Sequence, residues 1–161
     1  MATAPARIWV DGRYCLRVNG VEVARGPVRS DPRRSHYDVV DLAPHLRVGA
    51  NVIAITARHF GTATSWWMPV PPTYSLGGGC LAFEALIGDE WIVSDASWRA
   101  STSTPWTPVA VPGDVACLPL EWFDAREFPV GWDDPGFDDT CPPLDDKLPT
   151  QKPFRVNVQR L

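Results

Sequence analysis

Along the first sixty residues, apolar side chains recur at alternate positions, and glycine, proline and asparagine break the pattern at short intervals. Ala6–Val10 reads as a short strand, with Ile8 and Val10 on one face and Trp9 on the other. Asp11-Gly12 follows as a turn and predicts a hairpin into the next strand. There Tyr14, Leu16 and Val18 alternate with Cys15, Arg17 and Asn19, the period of a strand with one buried face. Asn19-Gly20 comes at once, and Val21 and Val23 resume the alternation. Both turn residues tolerate the positive φ of a type I′ turn, so a second hairpin is predicted. Tyr37–Leu42 alternates weakly and leads into Ala43-Pro44-His45-Leu46, at most one helical turn. Val48-Gly49-Ala50-Asn51 turns the chain. Val52–Ala57 is apolar on both faces except at Thr56, which predicts a buried central strand.

The pattern then loosens. From His59-Phe60-Gly61 onward the chain is irregular, and Ser65–Pro72 (SWWMPVPP) suits neither helix nor central strand, because proline removes ladder donors. Gly77-Gly78-Gly79 ends this stretch. Cys80–Ile87 is a firm strand with Leu81, Phe83, Ala85 and Ile87 facing one way, joined through Gly88-Asp89-Glu90 to Trp91-Ile92-Val93. Asp95–Trp98 continues into a Ser/Thr-rich connection through Thr107. Val109–Val111 and Leu118–Phe123 are candidate edge strands, and Trp132–Asp139 (WDDPGFDD) is loop. After Cys141 only Phe154–Val158 is periodic, and Pro142–Pro153 reads as a flexible tail. The organisation expected is a β-sandwich over residues 1–141 and an irregular tail over 142–161. Short strands between Gly/Pro turns, with no helical period, give an all-β sandwich or jelly roll.

Composition narrows the classes. With 161 residues, 45% hydrophobic content and a net charge of −4, the chain is an ordinary globular domain able to bury a core. The 17 prolines and 12 glycines exclude long helices. No run of 18 apolar residues exists, so no membrane partner is expected. With no apolar segment of signal-peptide length at the N-terminus, the expected location is the cytoplasm. Residues 1–60 hold nine Arg against five acids, and 61–161 hold six basic against fourteen acidic residues. The arginines of the first half alternate with acids on strand faces and one loop, whereas nucleic acid needs a clustered positive face. No nucleic-acid partner is expected. Cys15, Cys80, Cys117 and Cys141 are widely spaced without a Cys-x-x-Cys pair, which argues against zinc and redox motifs and for free thiols.

Candidate chemistry gathers in loops. Asp133, Asp134, Asp138 and Asp139 could supply paired carboxylates, but Pro135-Gly136 between them points to turn chemistry. No EF-hand spacing is present, so no metal or cofactor is expected, and calcium stays an option without a clear motif. His45 reads as a surface residue and His59 as a hydrogen-bonded core residue that could also reach a pocket. Gly77-Gly78-Gly79 precedes a strand, so no helix N-terminus is available to an anion. Trp66-Trp67 can present one indole to a sugar while the other plugs the core, or both can cover the end of the sandwich. Trp9, Trp91 and Trp98 read as core or sheet-face packing. Between the predicted strands, Arg29, Asp31, Arg33, Arg34 and His36 crowd around Pro32. Guanidinium forks and carboxylates make directional bonds to sugar hydroxyls, and the same groups could instead form an internal network of Arg33 or Arg34 with Asp31 or Asp38.

At these residues a family is visible. Residues 11–55 (DGRYCLRVNGVEVARGPVRSDPRRSHYDVVDLAPHLRVGANVIAI) resemble the N-terminal β-sandwich of bacterial α-L-rhamnosidases. WWMPVPPTYSLGGGCLAFEALI, WIVSDASWRA and FDAREFPVGWDDPGFDDT resemble later parts of the same region, so the likeness runs from about Ile8 to Thr140. It departs at Cys141-Pro142, where the family tends to carry a tryptophan, as a truncated or frame-shifted end would. The resemblance implies a galactose-binding-like accessory domain, with hydrolysis left to a separate (α/α)6 barrel. No catalytic residue and no activity of the chain alone are then expected. Asp31, Arg33, Arg34, His36, Trp66 and Trp67 are the expected carbohydrate contacts. The expected partner is a rhamnose-containing carbohydrate or, if the domain is purely structural, the catalytic barrel itself.

Overall fold

The computed structural model describes residues 3–28, 30, 34–59, 79–101, 105–109, 120–138 and 154–160. Among these residues eleven strands and one 3₁₀ turn, and no α-helix, build an all-β sandwich. The first layer is a four-stranded antiparallel sheet in the order β4 (Asp38–Asp41), β1 (Pro5–Val10), β6 (Leu81–Ile87), β7 (Glu90–Val93). The second has five strands in the order β3 (Val21–Gly26), β2 (Arg13–Val18), β5 (Val52–Arg58), β11 (Phe154–Arg160), β8 (Arg99–Ser101). A separate ribbon pairs β9 (Trp106–Val109) with β10 (Leu120–Phe123).

One apolar core lies between the layers. Ala6, Ile8, Val10, Phe83 and Ala85 of the first sheet meet Tyr14, Leu16, Val18, Ile53, Ile55 and Ala57 of the second. The unbroken apolar run of β5 has a physical reason. Ile53 and Ile55 enter this core, while Val52 and Ala54 face outward under Trp132, Phe128 and Phe137. A strand covered on both faces needs no polar alternation.

The Asn19-Gly20 hairpin forms as the sequence predicts. Asn19 (φ 51°) and Gly20 (φ 81°) both take positive φ, and β2 pairs with β3. A bulge between Leu16 and Arg17 shifts the register. The bulge lets the adjacent Val23 and Ala24 both pack on the core, so strict alternation is not resumed, and Val21, opposite Val18 on the edge strand, is 52% exposed. The Asn19 Nδ2 also donates to the His45 carbonyl and to Asn51 Oδ1, both at 2.9 Å, tying the hairpin to the turn before β5.

The first predicted hairpin is absent. β1 pairs with β4 and β6, and β2 pairs with β3 and β5, so Asp11-Gly12 is a corner at which the chain changes sheets. The Asp11 amide donates to the Cys80 carbonyl at 2.8 Å, prolonging the β1–β6 pairing. Gly12, at φ 139°, then passes so close to β5 that a Cβ there would stand 1.9 Å from the Arg58 carbonyl oxygen. Only glycine fits that crossing.

Two further readings change. Arg99–Ser101 is a strand, although it lies in the stretch that reads as a Ser/Thr-rich connection, and the strand Trp106–Val109 begins within that stretch and ends where the candidate edge strand Val109–Val111 is expected to start. Phe154–Arg160, which contains the one periodic piece read after Cys141, is β11 and lies between β5 and β8 in the larger sheet. The residues from 139 to 153 lie outside the described residues.

Candidate functional site

The loop between β3 and β4 is fixed at its base and open at its tip. Tyr14 Oη donates to Asp38 Oδ2 at 2.6 Å, and the Val28 amide donates to Asp38 Oδ1 at 3.2 Å. Burial and the adjacent Asp38 carboxylate push the Tyr14 phenol well above its ordinary range, so it stays a donor. Gly26 makes room for this pair, since a Cβ there would meet Asp38 Oδ2 at 2.1 Å. Pro27 and Ser30 are buried beneath the loop, whereas Arg34, His36 and Tyr37 are exposed. The Arg7 guanidinium lies 5.6 Å from the centre of the Tyr37 ring and bonds Glu84 at 2.5 Å.

Of the six expected contacts, Arg34 and His36 stand together on this exposed stretch. Asp31, Arg33, Trp66 and Trp67 lie outside the described residues. Asp38 accepts from Tyr14 and Val28, and Asp31 and Arg33, the other members of the expected arginine–aspartate network, lie outside the described residues. Tyr37 and Arg7 join the loop without having been expected, because the β1–β4 pairing that brings them near one another is non-local.

Several other titratable groups are built into the fold. His59 Nδ1 donates to the Asp11 carbonyl at 2.8 Å, and its ring packs on Gly79, as expected of a core histidine. Burial raises the thiols of Cys15 and Cys80, which disfavours a nucleophilic thiolate at either. Arg17 Nε donates to Asp133 Oδ2 at 2.5 Å, and its Nη2 donates to the Gly20 carbonyl at 2.6 Å. Residues 132–138 are turn and loop, as expected. The Asp134 amide bonds the Gly131 carbonyl and the Phe137 amide bonds the Asp134 carbonyl. The docking of this turn on β2 across 116 residues has no local signature in the sequence. Among the described residues no three His, Cys, Asp or Glu side chains converge as metal ligands.

Glu121 is a different case. Its carboxylate lies 3.2 Å from Arg58 Nη2, yet burial outweighs that cation and raises its pKa. On the same β9–β10 ribbon the Trp106 and Phe123 rings lie 4.9 Å apart, and both meet Phe128. Trp122, on the same ribbon, is 73% exposed. Trp9 is half-buried and Trp98 packs on Phe83 at 5.4 Å, as sheet-face residues should. Trp91, expected to be packed, is instead largely open to solvent.

No family model matches the chain. An α-L-rhamnosidase of Streptomyces avermitilis is 28% identical over 103 residues, which are 63% of this chain and 9% of that protein. The crystal structure of a GH78 family rhamnosidase of Bacillus sp. GL1 superposes with a TM-score of 0.62 at 31% identity. That match covers 86% of this chain and 14% of the other. The S. avermitilis α-L-rhamnosidase complexed with L-rhamnose gives a TM-score of 0.48 at 24% identity, over 87% of this chain and 10% of that one. This chain thus spans about a tenth of the curated relative's length. Its β-sandwich is homologous to one part of the α-L-rhamnosidases of family GH78.

Proposed function

We propose that this chain is a non-catalytic accessory sandwich of the α-L-rhamnosidase type, which holds a rhamnose-containing carbohydrate on the loop between β3 and β4. The observation that carries the reading is the exposure of Arg34, His36 and Tyr37 on a loop whose base is pinned to Tyr14 and Asp38. A guanidinium fork and an imidazole offer directional donors to vicinal hydroxyls, and a pinned base limits the entropy lost on binding. In this reading Asp31, Arg33, Trp66 and Trp67 complete the contact set, and hydrolysis belongs to a separate catalytic barrel.

Titration calorimetry with L-rhamnose and aryl rhamnosides, with and without calcium, tests it. Saturable heat that Arg34→Ala and His36→Ala each weaken at least tenfold is expected. No saturation with any of these sugars refutes sugar binding, and release of chromophore from an aryl rhamnoside by the purified chain refutes the non-catalytic part.

A second reading is favoured by the β9–β10 ribbon. Trp122 stands 73% exposed there, beside the aromatic cluster of Phe123 and Phe128. Exposed aromatic surface next to a packed cluster suits contact with another protein surface. The domain would then brace and shape the catalytic barrel without holding sugar.

A further inference from the structure

We propose that the outer face of the four-stranded sheet is a self-association surface, on which two copies of this chain pack face to face about a two-fold axis parallel to the strands. The face is defined by register. Ala6, Ile8, Phe83 and Ala85 point into the core, so Arg7, Trp9, Ala82 and Glu84 point outward with Val39 of β4 and Val93 of β7. Across the middle of the sheet the pairing puts Val39, Arg7, Glu84 and Val93 in one row. Leu86 and Trp91 form a pair beyond one side of that row. Tyr37, under Arg7, lies beyond the other.

The face is apolar where a soluble surface would be polar. Val39 is 67% exposed, Trp91 56%, Tyr37 55% and Val93 45%. A single ion pair, Arg7–Glu84, sits at its centre. Valine and leucine offer no hydrogen bonds to hydroxyl groups, so the face suits a protein surface better than a polysaccharide.

Charge order identifies the occupant. Read across the strands, the central row is apolar, positive, negative, apolar. A two-fold axis along the strands lays this row on its own reverse. Arg7 then faces Glu84 of the second copy, and Val39 faces Val93 of the second copy. An axis across the strands would instead set Arg7 against Arg7. The face is therefore self-complementary in one orientation, which is what an isologous dimer needs. Two sheets meeting this way keep their strands within about 30° of parallel, the usual aligned packing. From strand spacing and rise, the footprint is on the order of 20 Å by 20 Å. That places the contact among the smaller, reversible interfaces, with an expected Kd of roughly micromolar order.

Sedimentation equilibrium on the full 161-residue chain tests the proposal. Between about 1 and 500 μM the mass should climb from 17.8 kDa toward twice that value. Arg7→Glu and Glu84→Arg each place like charges opposite one another in the dimer and should weaken it at least tenfold. An equimolar mixture of the two variants restores opposite charges at every crossing and should associate as the wild type does. Both side chains lie on the outer face and neither is buried, and recovery in the mixture confirms that both variants are folded. A wild-type mass fixed at 17.8 kDa overturns the proposal, whether the face is bare or serves another partner. Single variants that associate like the wild type, or a mixture that stays monomeric, overturn it equally.

Discussion

Separating Arg17 from Asp133 should loosen the whole second layer of the sandwich, because this pair pins the turn at residues 130–138 to the back of β2. The Arg17 side chain is 31% exposed and that of Asp133 is 11% exposed. They meet in a short charge-assisted bond, and Arg17 also reaches the Gly20 carbonyl. The hydrogen bond to Asp133 holds the guanidinium above its ordinary pKa, so Arg17 stays charged. Hydrogen bonds to charged groups contribute about 1.5–3 kcal/mol, and the partial exposure of Arg17 argues for the lower half of that range. Asp133→Ala should therefore cost about 2 kcal/mol, since it leaves a half-buried cation without its anion. For a domain of this size that is a fall in Tm of roughly 4–8 °C. The assay is a double-mutant cycle by urea denaturation with Arg17→Met, Asp133→Ala and the double variant. A coupling energy of about 1–2 kcal/mol is expected, with the double variant less unstable than the sum of the singles. A coupling within about 0.3 kcal/mol of zero would refute the reasoning and reduce the turn to a bystander.

Two other outcomes follow from the same layer. Trp132 is 4% exposed over Val52 and Ala54, so Trp132→Ala should cost about 3–5 kcal/mol and show as a lower urea midpoint; a loss under about 1 kcal/mol would mean that β5 is not covered on its outer face. Glu121 has a raised pKa from burial, so the folded state holds a proton that the unfolded state releases, and stability falls as pH rises from the ordinary glutamate range through the folded value. Glu121→Gln should flatten that part of the profile in urea midpoints measured across mildly acidic pH, and an unchanged slope would contradict the assignment.

Much of the fold is legible in local pattern. Period-2 alternation marks β2 and β6, the unbroken run marks β5, and Asn19-Gly20 marks its hairpin through backbone chemistry alone. What local pattern does not carry is pairing across distance. Asp11-Gly12 has the composition of a hairpin turn, but whether two strands pair or part depends on Gly12 slipping past the Arg58 carbonyl. The bulge at Leu16–Arg17 belongs to the fit between two strands, so the packing of both Val23 and Ala24 on the core cannot be read from β3 alone. Strand β8 hides because serine and threonine serve both loops and edge strands. At the candidate site the loop, Arg34 and His36 follow from charge crowding beside clean strands. Tyr37 and Arg7 do not, since thirty residues separate them and only the β1–β4 register brings them together.

The position of β11 has a consequence for synthesis. Its seven residues fill the gap between β5 and β8, and its partners on β5 begin at Val52, about a hundred residues earlier. While a ribosome is still making residues 154–160, β5 has one ladder edge unsatisfied, and that edge belongs to the most apolar strand of the molecule. The nascent chain must therefore carry an aggregation-prone strand edge for several seconds at ordinary elongation rates of about 5–20 residues per second. Expression at lower temperature or with abundant chaperones should raise the soluble yield of this sandwich more than any substitution on its finished surface.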